Sequence, residues 1–257
     1  MRISFPLIAV VAAAEIAHAA SIVSPRAGTL NSESSVPFLV PTNGAASVRY
    51  QQVYGASDFS YAGSPEYLIT QISFTYGPSS GQIDVVLPNV QIWFSTTSRQ
   101  VDSLSPVFGD NVGPNNTLVY SGQLHLFWQQ PIGDFAFHIP LQQSFLYDWR
   151  AGNLLLDVRN SQTVPPLAVP PYLRLFMSSD TLGDGTSRAM AFDVNSPAAS
   201  FVNTEGLATL FTVTGVPEPS SALLFLAGLS ALVLLTWRRR ARIQTNCGLI
   251  KTPQGVT

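Results

Sequence analysis

Cysteine and lysine are almost absent from this chain of 257 residues. The single cysteine is Cys247 and the single lysine is Lys251, both close to the C-terminus. A chain with one cysteine cannot form an internal disulfide, so its stability must come from a packed core. The same scarcity excludes a zinc site built on several cysteines.

Positive charge is also scarce in the central part of the chain. Residues 20–216 contain seven arginines, no lysine and thirteen acidic residues, which leaves a net charge of −6. Nucleic-acid binding needs clustered cations. This composition therefore argues against a nucleic-acid partner and suits polysaccharide or neutral surface contacts.

Sustained helical spacing is missing from residues 20–216 as well. Apolar and polar residues alternate in short segments, and Gly, Pro, Asn and Asp lie between these segments. Pro88 interrupts one long run and predicts either two strands or a sheet edge. The predicted strands are Ser47–Tyr54, Tyr67–Tyr76, Gln82–Leu87, Val90–Thr96, Leu118–Trp128, Phe135–Leu141, Leu154–Arg159, Tyr172–Met177, Ala189–Asp193 and Leu207–Val213.

This pattern predicts an all-β fold. About ten short strands in one region favour a single β-sandwich, most like a jelly roll, over residues 47–213. Residues 20–46 are polar and are predicted to form a leader or edge segment.

The N-terminus has the features of an export signal. Arg2 precedes an apolar stretch over residues 3–14, and Ala17-His18-Ala19 has the small-x-small pattern of a signal peptidase site. We predict that residues 1–19 are a signal peptide, with cleavage after Ala19 or, as the near alternative, after Ala20.

The C-terminal region predicts one transmembrane helix over residues 222–237. Sixteen helical residues span roughly 24 Å, and the flanking side chains extend this reach. Trp237 stands at an interfacial position. The arginines that follow orient residues 243–257 towards the cytoplasm by the positive-inside rule. These arginines are Arg238, Arg239, Arg240 and Arg242.

The segment ahead of this apolar run reads Val216, Pro217, Glu218 and Pro219. Motif, short apolar helix and arginine cluster together resemble a PEP-CTERM sorting signal over residues 216–242. The resemblance implies that an exosortase, a membrane-embedded cysteine protease of bacteria with an outer membrane, recognises Pro-Glu-Pro. The catalytic residues belong to that protease.

The same resemblance implies a precursor held in the inner membrane, with its ectodomain in the periplasm, and later release to the cell surface or extracellular matrix. Such signals usually end soon after the arginines, whereas this chain continues to Thr257. Similar tails also occur on some ice-binding proteins, which does not make this chain an ice binder.

A second resemblance lies within the predicted β domain. Residues 49–54 (RYQQVY), Phe59 and residues 152–157 (GNLLLD) resemble a pattern in uncharacterised bacterial surface proteins that carry this tail. It implies one β-rich domain over about residues 45–213 and no particular activity.

Catalytic motifs are lacking in the exported part. Its only histidines are His125 and His138, both in alternating segments that predict outward polar positions. No Gly-x-Ser-x-Gly precedes a helix. We therefore expect a non-enzymatic protein, with a secreted hydrolase as the least favoured alternative.

No resident cofactor is expected, although structural calcium is an alternative. Two loops offer oxygen ligands, but ordinary Asp/Gly turn chemistry explains both equally well. The first loop has Asp180, Asp184 and Asn195 with Gly183 and Gly185, and the second has Asp110, Asn111 and Asn115.

One aromatic pair predicts a possible sugar contact. Adjacent strand residues point to opposite faces, so one of Phe127 and Trp128 faces outward unless both faces are covered. Trp128 is the candidate sugar-stacking residue. Two functions remain open. The first is an envelope or matrix protein with a structural or adhesive role and exopolysaccharide as a candidate partner, and the second is a lectin-like carbohydrate-binding module.

Overall fold

The computed structural model describes residues 19–26, 30–38, 47–62, 64–77, 80, 83–128, 135–161, 174–178, 181–215, 228 and 230. The chain divides into one unit of residues 17–216 and a second unit of residues 1–16 and 217–257. In the second unit the described residues are Gly228 and Ser230, both helical. The rest of the predicted transmembrane helix lies outside the described residues. Among the described residues, no helix has the length and apolar character needed to span a membrane.

The described part of the first unit is all-β, which confirms the predicted class. Apart from strands it contains short 3₁₀ turns at Ala56–Asp58, Ser60–Ala62, Phe108–Asn111 and Trp149–Ala151. The strands are β1 (Ala19–Ser24), β2 (Leu30–Ser34), β3 (Val48–Tyr54), β4 (Glu66–Phe74), β5 (Ile83–Thr97), β6 (Thr117–Trp128), β7 (Phe137–Asp148), β8 (Asn153–Asn160), β9 (Leu175–Ser178), β10 (Thr186–Ala191), β11 (Phe201–Asn203) and β12 (Thr209–Gly215).

These strands form antiparallel sheets. The first sheet has the order β1-β12-β4-β7, and the second has the order β11-β10-β3-β8-β5-β6. A small third sheet pairs β2 with β9. The termini of the described domain therefore meet, because β1 and β12 are neighbours at one side of the first sheet.

The first and second sheets enclose one shared aromatic core. Phe211 of β12 lies 4.9 Å from the ring of Tyr54 on β3 and 6.4 Å from the ring of Phe94 on β5. Phe94 also lies 5.6 Å from Phe145 of β7. Edge-to-face and tilted ring pairs of this kind add to the stabilisation that burial provides.

Period-two patterning explains which side chains enter this core. On β7, Phe137, Ile139, Phe145 and Tyr147 are buried, whereas His138 lies on the opposite, exposed face. Strand β8 is buried almost throughout because both of its faces are covered: Leu154, Leu156 and Val158 belong to the shared core, and Leu155 packs in a second apolar cluster with Val53 and Phe108.

Of the two effects predicted for Pro88, the split into two strands is wrong and the sheet edge is confirmed. Strand β5 runs through Pro88 without interruption, and the β5–β6 register shifts between Leu87 and Val90. Pairing of β5 with β8 begins at Val90, so the stretch that contains Pro88 has β6 as its single partner. A residue without an N–H is tolerated at such a bulge beside an open edge.

Candidate functional site

Strand β12 ends at Gly215, directly before the predicted sorting segment. Its register places Thr214 opposite Ala19 and Val213 opposite Ala20. The residues on both sides of the predicted signal peptidase cut therefore pair with the C-terminal part of β12.

Most residues of the two predicted processing signals lie outside the described residues, so their assigned roles stay predictions. These residues are Ala17, Val216, Pro217, Glu218, Pro219, Trp237, Arg238, Arg239, Arg240 and Arg242. Ala19 is described, as the first residue of β1.

The two histidines lie on different sheets and have different partners. His125 of β6 contacts Asp84 of β5, with 2.7 Å between Nε2 and Oδ1, and both side chains are exposed. His138 Nδ1 lies 2.8 Å from the Oγ of Ser73, which is fully buried. A serine triad needs an exposed nucleophile. The His138 pair therefore does not have the arrangement of a hydrolase site.

The predicted sugar-stacking residue Trp128 is the last residue of β6, and its side chain lies outside what the structure describes. Phe127, its neighbour, is 49% exposed. The Phe127 ring centroid lies 5.8 Å from that of His125. An aromatic ring, a histidine and a carboxylate thus share the outer face of the β5–β6 pair.

The second predicted calcium loop is held by its own hydrogen bonds. Asn111 is buried, and its side chain donates to Gln51 Oε1 and to the Ser105 carbonyl. Asp110 accepts a hydrogen bond from Ser105 Oγ, and Asn115 donates to Thr96 Oγ1. The side chains of this loop thus bind three different parts of the protein.

In the first predicted calcium loop, Asp184 is buried. Its Oδ1 accepts from the Thr186 N–H, while its Oδ2 is buried without a hydrogen-bond partner. Burial raises the pKa of Asp184. Asn195 is exposed in a separate turn, and Asp180 lies outside the described residues. Among the residues the structure describes, no group of three or more His, Cys, Asp or Glu side chains is placed to hold a metal ion.

An open cavity of about 270 Å³ lies beside β1. The Arg26 guanidinium carbon is 3.6 Å from the centroid of the Tyr61 ring, and Tyr61 is 71% exposed. Tyr61 and Asp58 come from two successive 3₁₀ turns. The cavity is lined by Ser21, Ile22, Val23, Arg26, Asp58 and Tyr61.

Asp58 is the buried carboxyl of this cavity. Its Oδ2 accepts a hydrogen bond of 2.6 Å from Ser24 Oγ and one of 3.3 Å from the Arg26 N–H. Burial raises the pKa of Asp58, although these two hydrogen bonds and the Arg26 charge oppose that rise. Gly185, with φ of +104°, passes close to this carboxyl, and a Cβ there would lie 3.1 Å from Oδ2.

Sequence reasoning missed this cavity. Arg26 falls in the segment predicted as a leader, and Tyr61 falls between two predicted strands. The two belong to no motif, and their contact arises because β1 joins the first sheet beside the turn that carries Tyr61.

The comparisons with known proteins concern the C-terminal region. Residues 215–240 match the family described as the PEP-CTERM protein-sorting motif. This confirms the resemblance of the tail and implies an exported protein that an exosortase sorts to the cell envelope or surface. No curated protein and no solved structure matches the chain.

Proposed function

We propose that the chain is a non-enzymatic protein of the cell envelope or extracellular matrix, cut by an exosortase-type protease at Pro217–Pro219. The observation that carries this proposal is the match of residues 215–240 to the sorting motif, immediately after the last strand of the domain. In this proposal the β domain is the cargo that reaches the surface, as a jelly-roll-like sandwich.

The proposed route has two membrane steps. Residues 1–19 direct export and are removed, and residues 222–237 then hold the precursor in the inner membrane, with residues 243–257 in the cytoplasm. The shared core between the two large sheets supports a cargo that folds by itself outside the membrane.

Mass analysis of the protein from its native host tests the sorting step. We expect the mature chain to lack everything after about Pro219, and a variant with Pro217, Glu218 and Pro219 all changed to Ala to keep its tail. Pro253→Ala, in the predicted cytoplasmic tail, is the matched control and should be processed normally. Recovery of the wild-type chain with residues 238–257 intact would reject the proposal.

A second candidate function is carbohydrate binding by the same domain. The exposed Phe127 ring beside the His125–Asp84 pair supports it, since sugars pack on aromatic rings and bind carboxylates through their hydroxyls. A glycan-array screen with the full-length chain in detergent tests this function. Absence of binding to every sugar would reject it and leave the structural role.

A further inference from the structure

We propose that the cavity formed by Arg26, Tyr61 and Asp58 binds an acidic sugar, with the sugar carboxylate on the Arg26 guanidinium. This inference goes beyond the carbohydrate-binding candidate above, because its site is separate from the β5–β6 face that carries Phe127. It places the site beside β1 and defines the ligand as a carboxylate-bearing unit of a polysaccharide.

Arg26 differs from five other arginines of the domain by its lack of a carboxylate partner among the described residues. It forms no ion pair with any residue that the structure describes, and its charge acts on Asp58 from beyond ion-pair distance. By contrast, Arg49, Arg99, Arg150, Arg159 and Arg188 each lie within 4.0 Å of an acidic oxygen. A guanidinium that has no carboxylate partner among the described residues can donate its N–H groups to the carboxylate of a ligand.

The Tyr61 ring holds this guanidinium in place. Stacking on a ring uses the face of the guanidinium, whereas hydrogen bonds to a carboxylate use its edge. The contact of 3.6 Å with Tyr61 therefore orders the Arg26 side chain without consuming its N–H donors. A guanidinium that is already ordered loses less conformational entropy when a carboxylate binds.

The remaining lining groups suit the neutral part of a sugar. Asp58 offers a carboxyl that can accept hydrogen bonds from hydroxyls, and the exposed Tyr61 hydroxyl can donate or accept. Strand β1 is the outermost strand of its sheet, so some of its backbone N–H and C=O groups point away from β12. Ile22 and Val23 add apolar surface.

The size of the cavity limits the ligand. At about 270 Å³ it lies at the lower end of ligand pockets, which span roughly 300–1,000 Å³. It therefore suits one sugar unit, with the rest of the saccharide outside. Since Ser21, Ile22 and Val23 belong to β1, the site exists only while this first strand is paired with β12.

Isothermal titration of the full-length chain in detergent tests the proposal, with an oligogalacturonate and the matching neutral oligogalactose as probes. We expect the wild type to bind the acidic probe more tightly. Arg26→Ala should weaken that binding by about tenfold or more, because it removes a charge-assisted hydrogen-bond pair. Arg26→Lys should restore part of the lost affinity, since lysine keeps the positive charge but lacks the planar guanidinium that forms two hydrogen bonds to one carboxylate.

Two control variants separate this site from the alternatives. Arg159→Ala removes an arginine that also stacks on a ring, that of Trp93, yet is ion-paired with Asp157, and it should bind like the wild type. Phe127→Ala removes the exposed ring on the β5–β6 pair and should also leave binding unchanged. Thermal unfolding of each variant checks that it is folded.

Each outcome of the binding measurements tests a different part of the proposal. Unchanged binding by folded Arg26→Ala, or equal affinity for both probes, overturns the inference. Loss of binding in Phe127→Ala alone moves the sugar site to the β5–β6 pair and keeps the second candidate function. Equal binding of a short Asp/Glu-rich peptide overturns the assignment to a saccharide. Binding of neither probe rejects this inference, and a blank glycan array rejects the wider function with it.

Discussion

Arg188 and Arg26 are the same residue type in opposite surroundings. Arg188, on β10, is 6% exposed and donates to Asn203 Oδ1, to Met177 Sδ and to the carboxylate of Glu205. Arg26 stacks on the exposed ring of Tyr61 and has no ion-pair partner among the described residues. A buried arginine whose donors are used inside the protein supports the fold, whereas one whose donors remain free is suited to bind a ligand.

A second buried arginine cluster behaves like that of Arg188. Both oxygens of Asp157 on β8 accept from Arg49 on β3, and one of them also accepts from Gln51. Arg49 lies over the ring of Phe108 at 4.5 Å. This cluster joins neighbouring strands of the second sheet and leaves Asp157 only 2% exposed.

The largest effect should come from Glu205→Ala. This change leaves the Arg188 charge buried without its carboxylate, which typically costs about 3–5 kcal/mol of unfolding free energy. Urea denaturation measures the loss. Glu66→Ala is the control, because the Glu66–Arg150 pair is exposed and 3.7 Å long, and it should change stability by less than about 1 kcal/mol. Similar values for the two variants would refute the assignment of a fold-supporting role to Arg188.

Asp157→Asn should have the next largest effect. The substitution keeps the shape of the side chain but removes the negative charge that Arg49 and Arg159 share. We expect a loss of about 2 kcal/mol, since charge-assisted hydrogen bonds contribute roughly 1.5–3 kcal/mol each and Asn retains part of the contact. Chemical denaturation at neutral pH measures it. A stability equal to that of the wild type would contradict the prediction.

A pH series should distinguish the cavity from the buried clusters. The pKa of Asp58 in the folded protein lies above its ordinary value of 3.8 because of burial, so the folded state holds the proton more tightly than the unfolded chain. This group therefore makes stability fall as the pH rises from 3.8 through the raised pKa. The charge of Asp184 also raises the pKa of Asp58, and burial raises the pKa of Asp184 itself.

Asp58→Asn should remove the Asp58 part of this pH dependence. We expect the thermal midpoint to fall less steeply as the pH rises above 3.8, with the contribution of Asp184 left in place. Asp148→Asn is the control with the opposite sign, because hydrogen bonds from Arg150 lower the pKa of Asp148. A slope for Asp58→Asn equal to that of the wild type would show that Asp58 does not titrate in this window.

Arg26→Ala should have the smallest effect on stability. It removes an exposed cation–π contact, which contributes about 0.5–1 kcal/mol, while the buried Asp58 carboxyl keeps its hydrogen bond from Ser24 Oγ. We expect a change within about 1 kcal/mol in denaturation, together with the loss of acidic-sugar binding described above. A loss as large as that of Glu205→Ala would place Arg26 among the fold-supporting arginines.

The sequence pattern predicted the long strands well and the short ones poorly. Strands such as β3, β6 and β8 carry clear apolar patterns, so their positions could be predicted. Strands β1 and β2 fall in the segment predicted as a leader or edge, and β11 was not predicted, because each buries few side chains: in β1 these are Ile22 and Ser24. Of the two effects predicted for Pro88, the split into two strands was wrong and the sheet edge was right, because β8 ends at Asn160 opposite Val90 and leaves the Pro88 stretch paired on one side.

The two candidate sugar sites, the β5–β6 face and the Arg26 cavity, also differ in how far the sequence could predict them. The sequence predicted that one ring of the Phe127–Trp128 pair faces outward and favoured Trp128, whereas the structure shows Phe127 to be 49% exposed and does not describe the Trp128 side chain. The cavity could not be found, because Arg26 and Tyr61 lie in separate segments whose meeting depends on β1 joining β12.

The sequence by itself determined the sorting signal and the all-β class. A sorting signal is a contiguous set of residues, and strand periodicity is a local property, so neither needs knowledge of distant contacts. Only the tertiary structure decided that Arg49 and Arg188 are ion-paired and that Arg26 has no ion-pair partner among the described residues. Arg49 and Asp157 are 108 residues apart in the chain, and the energy of a charge depends on the groups that folding brings around it.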